Sequence, residues 1–279
     1  MAQPSDDYKK GIERPRRGRT DVRRFRATVE YDGTEFAGFQ SQRNARTVQG
    51  ELEAALARLL GGDRVVVQGA GRTDAGVHAA GQVIAFTYTG SLSVEALTDA
   101  LNGTLPPDVA VRGLRRVPAG FNPRYAARSR EYRYSIWNGP RSPLRERSAL
   151  WVRSELDVAA MASAATAFLG RHDFSAFGGI DPQPVRTIHR IAVRRQGSAV
   201  TIDVRADAFL RGMVRRIVAA LLAVGKGKLE VSDVPGLLQA GTPALGGASA
   251  PARGLCLRRV VLGRRSGDRA TTTETGHED

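Results

Sequence analysis

Apolar and polar residues alternate along several short segments of the chain, and other segments carry apolar residues at helical spacing. The segment RATVEYDGT, which begins at Arg26, alternates in this way and ends in an Asp-Gly turn, so it predicts a strand. From Thr47 onwards, apolar residues recur every three or four positions up to a pair of glycines, which predicts a helix. This first half of the chain also contains the predicted strands RVVVQGA, GQVIAFTYT and VAVRGLRRVP. Its second predicted helix is SVEALTDALNGTLP, capped by Ser91 or Ser93.

A comparable order of elements recurs after Pro123. It comprises the strand REYRYSIWN, a helix from Asp157 to Leu169, the strands IHRIAVRRQ and AVTIDVRAD, helices near Leu210–Val224 and Val231–Ala240, and the strand GLCLRRVVL. The two halves share no visible sequence identity, so the repeat is inferred from the order of the elements alone. This order predicts an α+β fold of two mixed halves that join near residues 120–128.

Shifts in composition mark the limits of the predicted domains. Residues 1–24 mix Pro, Gly and like charges without an apolar period, which is typical of a disordered basic arm. Residues 264–279 are polar and predict a disordered tail. Between them we expect an N-terminal α+β domain over residues 25–122 and a C-terminal α+β domain over residues 123–263.

The charge of the chain favours a phosphate-rich partner. The 279 residues include 42 Lys and Arg against 28 Asp and Glu, a net charge of +14, and most of this excess lies outside the two terminal segments. Arginine predominates, and guanidinium groups pair with phosphate in a bidentate way. The alternative is that the charge serves solubility alone. Nucleic acid is therefore the favoured partner, ahead of a membrane surface.

Several classes of protein do not fit the composition. The longest apolar runs, such as residues 217–224, are far shorter than the roughly 20 residues of a membrane span, and the charged N-terminus lacks the apolar stretch of a secretory signal. We therefore expect no membrane association and a cytoplasmic location. The one cysteine, Cys256, cannot form an internal disulfide, and the four histidines share no metal-ligand spacing with it. Neither a disulfide nor a bound metal is expected.

The stretch GAGRTDAGVHAAG, from Gly69 to Gly81, is unusually rich in glycine around the charged residues Arg72 and Asp74. Its glycine spacing matches neither the dinucleotide-binding nor the P-loop template, which argues against a phosphate cradle. Two interpretations stay open from these residues alone. The stretch is either a simple turn, or a loop that presents Asp74 as a reactive carboxylate with Arg72 as a phosphate or ion-pair partner.

The whole of GAGRTDAGVHAAGQVIAF resembles the signature of the tRNA pseudouridine synthase A family. Other segments resemble that family in the same order: VEYDGTEFAGFQSQ, TVQGELEAAL, LNGTLPPDVAVRGLRRVPAGFNPRYAARSREYRYSIWN, HDFSAF, DAFLRGMVRRIVAALLAVG and GLCL. The resemblance covers about residues 26–262. One small departure is Phe39, where members of the family often carry Trp.

The resemblance implies a set of site residues. It places the nucleophilic aspartate at Asp74, its arginine partner at Arg215, the tyrosine that packs against the target base at Tyr132, and an aliphatic residue of the base pocket at Leu255. Tyr132 is also the candidate general base because it carries a phenolic oxygen, although an ordinary phenol pKa of about 10 makes it a reluctant base at neutral pH. Without the resemblance, Tyr132 and Leu255 would be interpreted as core residues and Arg215 as part of a solvated helix face. Arg72 is a candidate RNA contact, as are four arginines of RYAARSREYR: Arg124, Arg128, Arg130 and Arg133.

The resemblance also implies a fold and a reaction. The expected fold has two similar halves of mixed, mainly antiparallel sheet, with helices on one face and the active-site cleft between the halves. The expected reaction is the isomerisation of uridine to pseudouridine at positions 38, 39 and 40 in the anticodon stem-loop of tRNA, without a cofactor. The family acts as a homodimer that holds tRNA across both subunits, so tRNA and a second copy of the chain are the expected partners.

Overall fold

The strands of the computed structural model, which describes residues 22–240 and 242–263, follow the alternation seen in the sequence. Along β1 (Arg23–Tyr31) the alternate side chains from Phe25 to Tyr31 are buried, whereas Glu30 between them is exposed. Most of β5 (Ala127–Trp137) follows the same pattern. These two strands are thus apolar on the face that packs against the core and mostly polar on the other.

The described residues form ten strands and six α-helices. The other strands are β2 (Gln68–Gly69), β3 (His78–Tyr88), β4 (Val109–Arg116), β6 (Leu150–Trp151), β7 (Gly170–Asp173), β8 (Val185–Gln196), β9 (Ala199–Ala206) and β10 (Leu255–Leu262). The helices are α1 (Val48–Leu59), α2 (Val94–Thr104), α3 (Pro123–Ala126), α4 (Val158–Ala165), α5 (Met213–Gly225) and α6 (Val234–Gln239).

One three-strand arrangement occurs twice in the sheet. The strands join in the order β4-β1-β3-β10-β5-β9-β8-β7, with β2 paired to β3 and β6 paired to β5. In the first half β1 lies between β4 and β3 and is antiparallel to both, and in the second half β5 lies in the same way between β10 and β9. The equivalent helices α2 and α5 follow β3 and β9. The predicted α+β fold of two similar, mainly antiparallel halves is confirmed.

Strand β10 joins the two halves. It pairs with β3 in parallel through Cys256–His78 and Leu257–Ala79, and with β5 in antiparallel register. The strands of both halves therefore form one sheet, and the predicted domain boundary between residues 122 and 123 stays a prediction. Most of the predicted N-terminal arm (residues 1–21) and the whole predicted tail (residues 264–279) lie outside the described residues.

The segment RVVVQGA was expected to form a strand over its whole length, but only Gln68 and Gly69 pair with β3. The backbone of Val67 finds its partners on α1 instead. Its N–H donates to Glu53 Oε1 at 3.0 Å, and its carbonyl accepts from Gln49 Nε2 at 3.1 Å. Helix side chains thus pair both backbone groups of Val67, although this residue has no strand partner.

The predicted helix starts are confirmed where the cap residue is clear. Thr47 Oγ1 accepts the N–H of Gly50 at the start of α1, and Ser93 Oγ accepts the N–H of Ala96 at the start of α2. Among the residues that the structure describes, no helix is both long and apolar enough to cross a membrane.

Candidate active site between the two halves

The glycine loop between β2 and β3 is tied to the sheet by hydrogen bonds at its first residues. The Ala70 N–H donates to the Val83 carbonyl at 2.8 Å. The Gln82 side chain, which is fully buried, donates from Nε2 to the Gly71 carbonyl at 2.9 Å. The loop therefore leaves the sheet in a fixed direction.

Thr73, next to the candidate nucleophile, anchors the middle of the loop. Its side chain is buried, and its Oγ1 lies 2.8 Å from the hydroxyl oxygen of Tyr31 on β1. Its carbonyl accepts the Phe39 N–H at 3.1 Å. Asp74, by contrast, keeps 29% of its side chain exposed. The loop thus holds Thr73 in the core and leaves the carboxylate of Asp74 accessible.

Two close approaches of the backbone need glycine beside this loop. Gly38 has φ of +104°, and a Cβ at this position would lie 2.7 Å from the Thr73 carbonyl oxygen. A Cβ at Gly69 would lie 2.5 Å from Cε1 of Phe39, which is itself buried. Phe39, the departure from the family pattern, therefore packs directly against the start of the glycine loop.

The carboxylate of Asp74 faces two arginines of the other half. Arg215 Nη1 lies 3.8 Å from Oδ2, and Arg211 Nε lies 3.8 Å from Oδ1. These distances allow ion pairing but exceed hydrogen-bond length. The predicted partnership of Asp74 with Arg215 is therefore present in the geometry, and Arg211 adds a second cation that sequence reasoning missed.

The two arginines differ in how firmly they are held. Arg215, in the first turn of α5, donates from Nε to the Ala250 carbonyl at 2.7 Å and from Nη2 to Ser249 Oγ at 3.3 Å. Its side chain is 23% exposed, whereas that of Arg211 is 89% exposed. Arg215 is thus a fixed charge, and Arg211 is a surface charge that a ligand can reach.

Tyr132 on β5 lies near the same carboxylate. Its ring meets that of Phe209 edge to face, with centroids 5.2 Å apart and planes at 89°. Burial raises the pKa of the Tyr132 phenol above its ordinary value; the charge of Arg130 acts in the opposite direction, and the charge of Asp74 adds to the rise. The phenol is therefore protonated at neutral pH.

Leu255 is buried at the start of β10, where it is opposite Tyr134 of β5. It lies on the same sheet face as Tyr132, because Leu257 is opposite Tyr132 two residues along. The turn before it approaches the glycine loop, since a Cβ at Gly76 would lie 3.2 Å from Cβ of Ala252. Leu255 is therefore a buried apolar residue on the same sheet face as Tyr132.

The other arginines singled out in the sequence occupy different environments. Arg72 is exposed and, within residues 22–240 and 242–263, forms no ion pair with Asp74 or another residue. Arg133 points to the sheet face opposite Tyr132 and binds Asp203 through Nε and Nη2 at 2.7 and 2.9 Å. Arg133 is thus an ion-pair residue on the far face and not part of the cleft.

Arg211 and Phe209 both lie in the segment DAFLRGMVRR, in which the resemblance to the family assigns a role to Arg215 but not to these two residues. Gly212, with φ of +74°, starts α5 and turns the chain between Arg211 and the helix. The signal that could have found Arg211 is its position just before a helix that already carries Arg215.

Comparison with known proteins agrees with this geometry. The sequence pattern of the tRNA pseudouridine synthase family matches residues 27–126 and 164–261, which include Asp74, Arg215, Leu255 and the segment around Arg211. The chain belongs to this family. The expectation of an isomerase that acts on uridines in tRNA is confirmed at that level.

Individual relatives match nearly the whole of their own length. The chain is 43% identical over 243 residues to the tRNA pseudouridine synthase A of Geotalea daltonii, covering 86% of this chain and 99% of the relative. It is 44% identical over 243 residues to that of Geotalea uraniireducens, with the same coverage. The family member of Shouchella clausii is 43% identical over 245 residues, covering 86% of this chain and 94% of the relative.

The contact between Gly38 and the glycine loop leads to a prediction with a matched control. Gly38→Ala and Gly62→Ala place alanine at nearly the same φ, +104° and +106°, but a Cβ at Gly62 meets nothing within 4 Å. Both changes cost about 1–3 kcal/mol of backbone strain. Gly38→Ala also pushes against Thr73, so we expect it to slow pseudouridine formation about tenfold or more.

Urea unfolding measures the loss of stability in each variant, and single-turnover assays on tRNA measure the rate of pseudouridine formation. Equal rates for the Gly38→Ala and Gly62→Ala variants would contradict the role given to the Gly38 contact.

Proposed function

We propose that this chain isomerises uridine to pseudouridine at positions 38, 39 and 40 in the anticodon stem-loop of tRNA, with Asp74 as the reacting carboxylate. The observation that supports this most is the position of Asp74. A partly exposed carboxylate stands on a loop fixed by Thr73 and faces two guanidinium groups from the other half of the sheet.

The reaction breaks the bond between N1 and C1′ and forms a bond between C5 and C1′, while a proton leaves C5 and N1 gains one. A carboxylate can assist by attacking C6 of the uracil, by bonding to C1′, or by removing the C2′ proton. Each route requires an ionised oxygen close to the nucleoside. The Asp74 oxygens fit this requirement, because the nearest guanidinium nitrogens stand 3.8 Å away and leave both oxygens able to approach a substrate atom.

Arg215 positions this carboxylate through charge. Its own position is set by the Ala250 carbonyl and Ser249, so its field at Asp74 does not depend on a flexible side chain. A fixed positive charge in a partly buried site stabilises negative charge on the carboxylate without reorganisation during the reaction. Arg215 thus supports the chemistry more than the binding of RNA.

The Tyr132 side chain supplies an aromatic ring that packs against the uracil, and it does not act as the general base. Its phenol is protonated at neutral pH because burial raises its pKa, and a protonated phenol cannot accept the C5 proton. Its ring is positioned by an edge-to-face contact with Phe209. We therefore assign Tyr132 to packing against the extruded base, with Leu255 in the wall of the same pocket.

The rim of the cleft supports binding to the RNA backbone. Arg72 and Arg211 are both exposed, and each lies within four residues of a residue placed in the site. Extruding a uridine from a stem costs a few kcal/mol, which contacts between arginines and phosphates offset. These two side chains are the proposed phosphate contacts nearest the reacting base.

A homodimer and a cytoplasmic location complete the proposal. Both rest on the resemblance to the tRNA pseudouridine synthase A family. Light scattering from the purified chain measures its mass in solution. A mass of twice the 30.0 kDa of the chain supports the homodimer, and a mass of 30.0 kDa overturns it.

Cell fractionation tests the cytoplasmic location. Recovery of the chain outside the cytoplasmic fraction would contradict that location.

The role of Asp74 gives the sharpest test of a single residue. We expect Asp74→Asn to bind tRNA with an affinity close to that of the wild type but to form no pseudouridine, because the amide cannot act as an ionised nucleophile. Tritium release from tRNA labelled at C5 of uridine measures the reaction, and filter binding measures affinity. Turnover near the wild-type rate would remove Asp74 from the chemistry.

Substitutions at Tyr132 separate packing from proton transfer. We expect Tyr132→Phe to keep the ring and lose less than about tenfold in single-turnover rate, whereas Tyr132→Ala loses more than about 100-fold. Both variants should retain tRNA binding. If Tyr132→Phe were as slow as Tyr132→Ala, the hydroxyl and not the ring would be the required group.

A further inference from the structure

Arg130 is half-buried on β5, two residues before Tyr132 and on the same face of the sheet. Its guanidinium donates from Nη2 to the Ala70 carbonyl at 2.8 Å and from Nη1 to the Asp207 carbonyl at 2.8 Å. A longer contact of 3.4 Å joins Nη2 to the Arg124 carbonyl. One side chain therefore connects three separate segments of the main chain.

The acceptors around Arg130 are main-chain carbonyls and not carboxylates. The carboxylate of Asp207 is occupied elsewhere, since Oδ1 accepts the N–H groups of Thr187 at 3.1 Å and Ala208 at 2.6 Å. Among the described residues Arg130 forms no ion pair. Both of its terminal nitrogens already donate within the protein, which distinguishes it from the exposed Arg72 at the rim.

The segments that Arg130 connects carry the site residues. Ala70 stands four residues before Asp74 on the glycine loop of the first half. Asp207 stands two residues before Phe209 and four before Arg211, in the segment that leads into α5 of the second half. One guanidinium therefore bridges the loop that carries Asp74 and the segment that carries Phe209 and Arg211.

We propose that Arg130 is a positioning residue that clamps the glycine loop to the segment before α5, so that Asp74 faces its arginines across the junction. This inference rests on the proposed function, because its kinetic test measures the formation of pseudouridine. The clamp requires the planar fork of a guanidinium, which presents two terminal nitrogens to carbonyls on different segments. A lysine ammonium, as a single point charge, cannot span the same acceptors.

The Arg130 clamp affects the rate of pseudouridine formation and not the affinity for tRNA. Arg130 lies behind the loop with its nitrogens already bonded, so its removal takes no phosphate contact from the surface. It does release the loop, and a displacement of about 1 Å at the reacting atoms can reduce a rate by about 100-fold. The rate of pseudouridine formation and the affinity for tRNA should therefore separate.

The test compares Arg130→Met with Arg130→Lys and with Arg205→Met as the matched control. Arg205 is an exposed arginine on β9, opposite Glu131, so it faces away from the cleft; it donates to Ser129 Oγ at 3.1 Å. We expect Arg130→Met to lower the single-turnover rate about 100-fold and Arg130→Lys about tenfold, with tRNA affinity within about threefold of the wild type in both. Arg205→Met should keep the wild-type rate.

Hydrogen exchange gives a readout that does not depend on activity. In Arg130→Met, amide exchange should accelerate together in residues 70–77 and 207–212, because both segments lose the same anchor. In Arg205→Met both segments should exchange as in the wild type. If Arg130→Met does not fold, the lysine variant supplies both measurements.

Three results would overturn the clamp. The first is a wild-type rate in Arg130→Met or Arg130→Lys, and the second is a loss of tRNA affinity that parallels the loss of rate. The third is unchanged exchange in the two segments. If the wild type and Arg205→Met form no pseudouridine in tRNA, the proposed function fails instead, while the exchange measurement still decides on the clamp.

Discussion

The parallel pairing of β10 with β3 is the contact on which the candidate site depends. It consists of two residue pairs, Cys256–His78 and Leu257–Ala79. Because the two strands run in the same direction, the segments that precede them emerge at the same edge of the sheet. One is the loop that carries Asp74, and the other contains Ser249 and Ala250, which hold Arg215. A short stretch of parallel pairing thus places a carboxylate of one half beside an arginine of the other.

Contacts around this junction reinforce the arrangement from both sides. The ring nitrogen Nε2 of His78 lies 3.1 Å from the Arg253 carbonyl, so the first residue of β3 is joined to the turn before β10. On the other side, Arg130 bonds to the carbonyls of Ala70 and Asp207. The carboxylate itself makes ion pairs of 3.8 Å and leaves its oxygens accessible, because the neighbouring residues provide the rigidity.

Much of the fold could be predicted from patterns of short range. Period-two alternation identified β1, β5 and β9, and the caps Thr47 and Ser93 marked where α1 and α2 begin. The prediction of a full-length strand at RVVVQGA was wrong for a physical reason. Side chains of α1 bond to the backbone of Val67 in place of a neighbouring strand, and no pattern within the segment indicates this. Tertiary hydrogen bonds decided the structure of that segment.

For the site, the resemblance led us to propose Asp74, Arg215 and Tyr132, but the local sequence could not separate the arginines around them. Grouping Arg130 with Arg133 ignored their odd spacing on a strand, which places them on opposite faces of the sheet. Arg211 could not be assigned to Asp74 from sequence, because the two residues meet only when both halves of the sheet are assembled. A short sequence pattern indicates which face of a strand or helix a residue occupies. Which residues of the two halves contact each other becomes clear only in the assembled sheet.

A pseudouridine map tests the central claim, that this site isomerises uridines in the anticodon stem-loop of tRNA. The purified wild-type chain would be incubated with unmodified tRNA transcripts that carry uridine at 38, 39 or 40, and each transcript would then be sequenced after a chemical treatment selective for pseudouridine. We expect pseudouridine at those positions and not at uridines elsewhere in the same transcripts. Transcripts without pseudouridine, or with it confined to other stems, would show that this site does not have the proposed function.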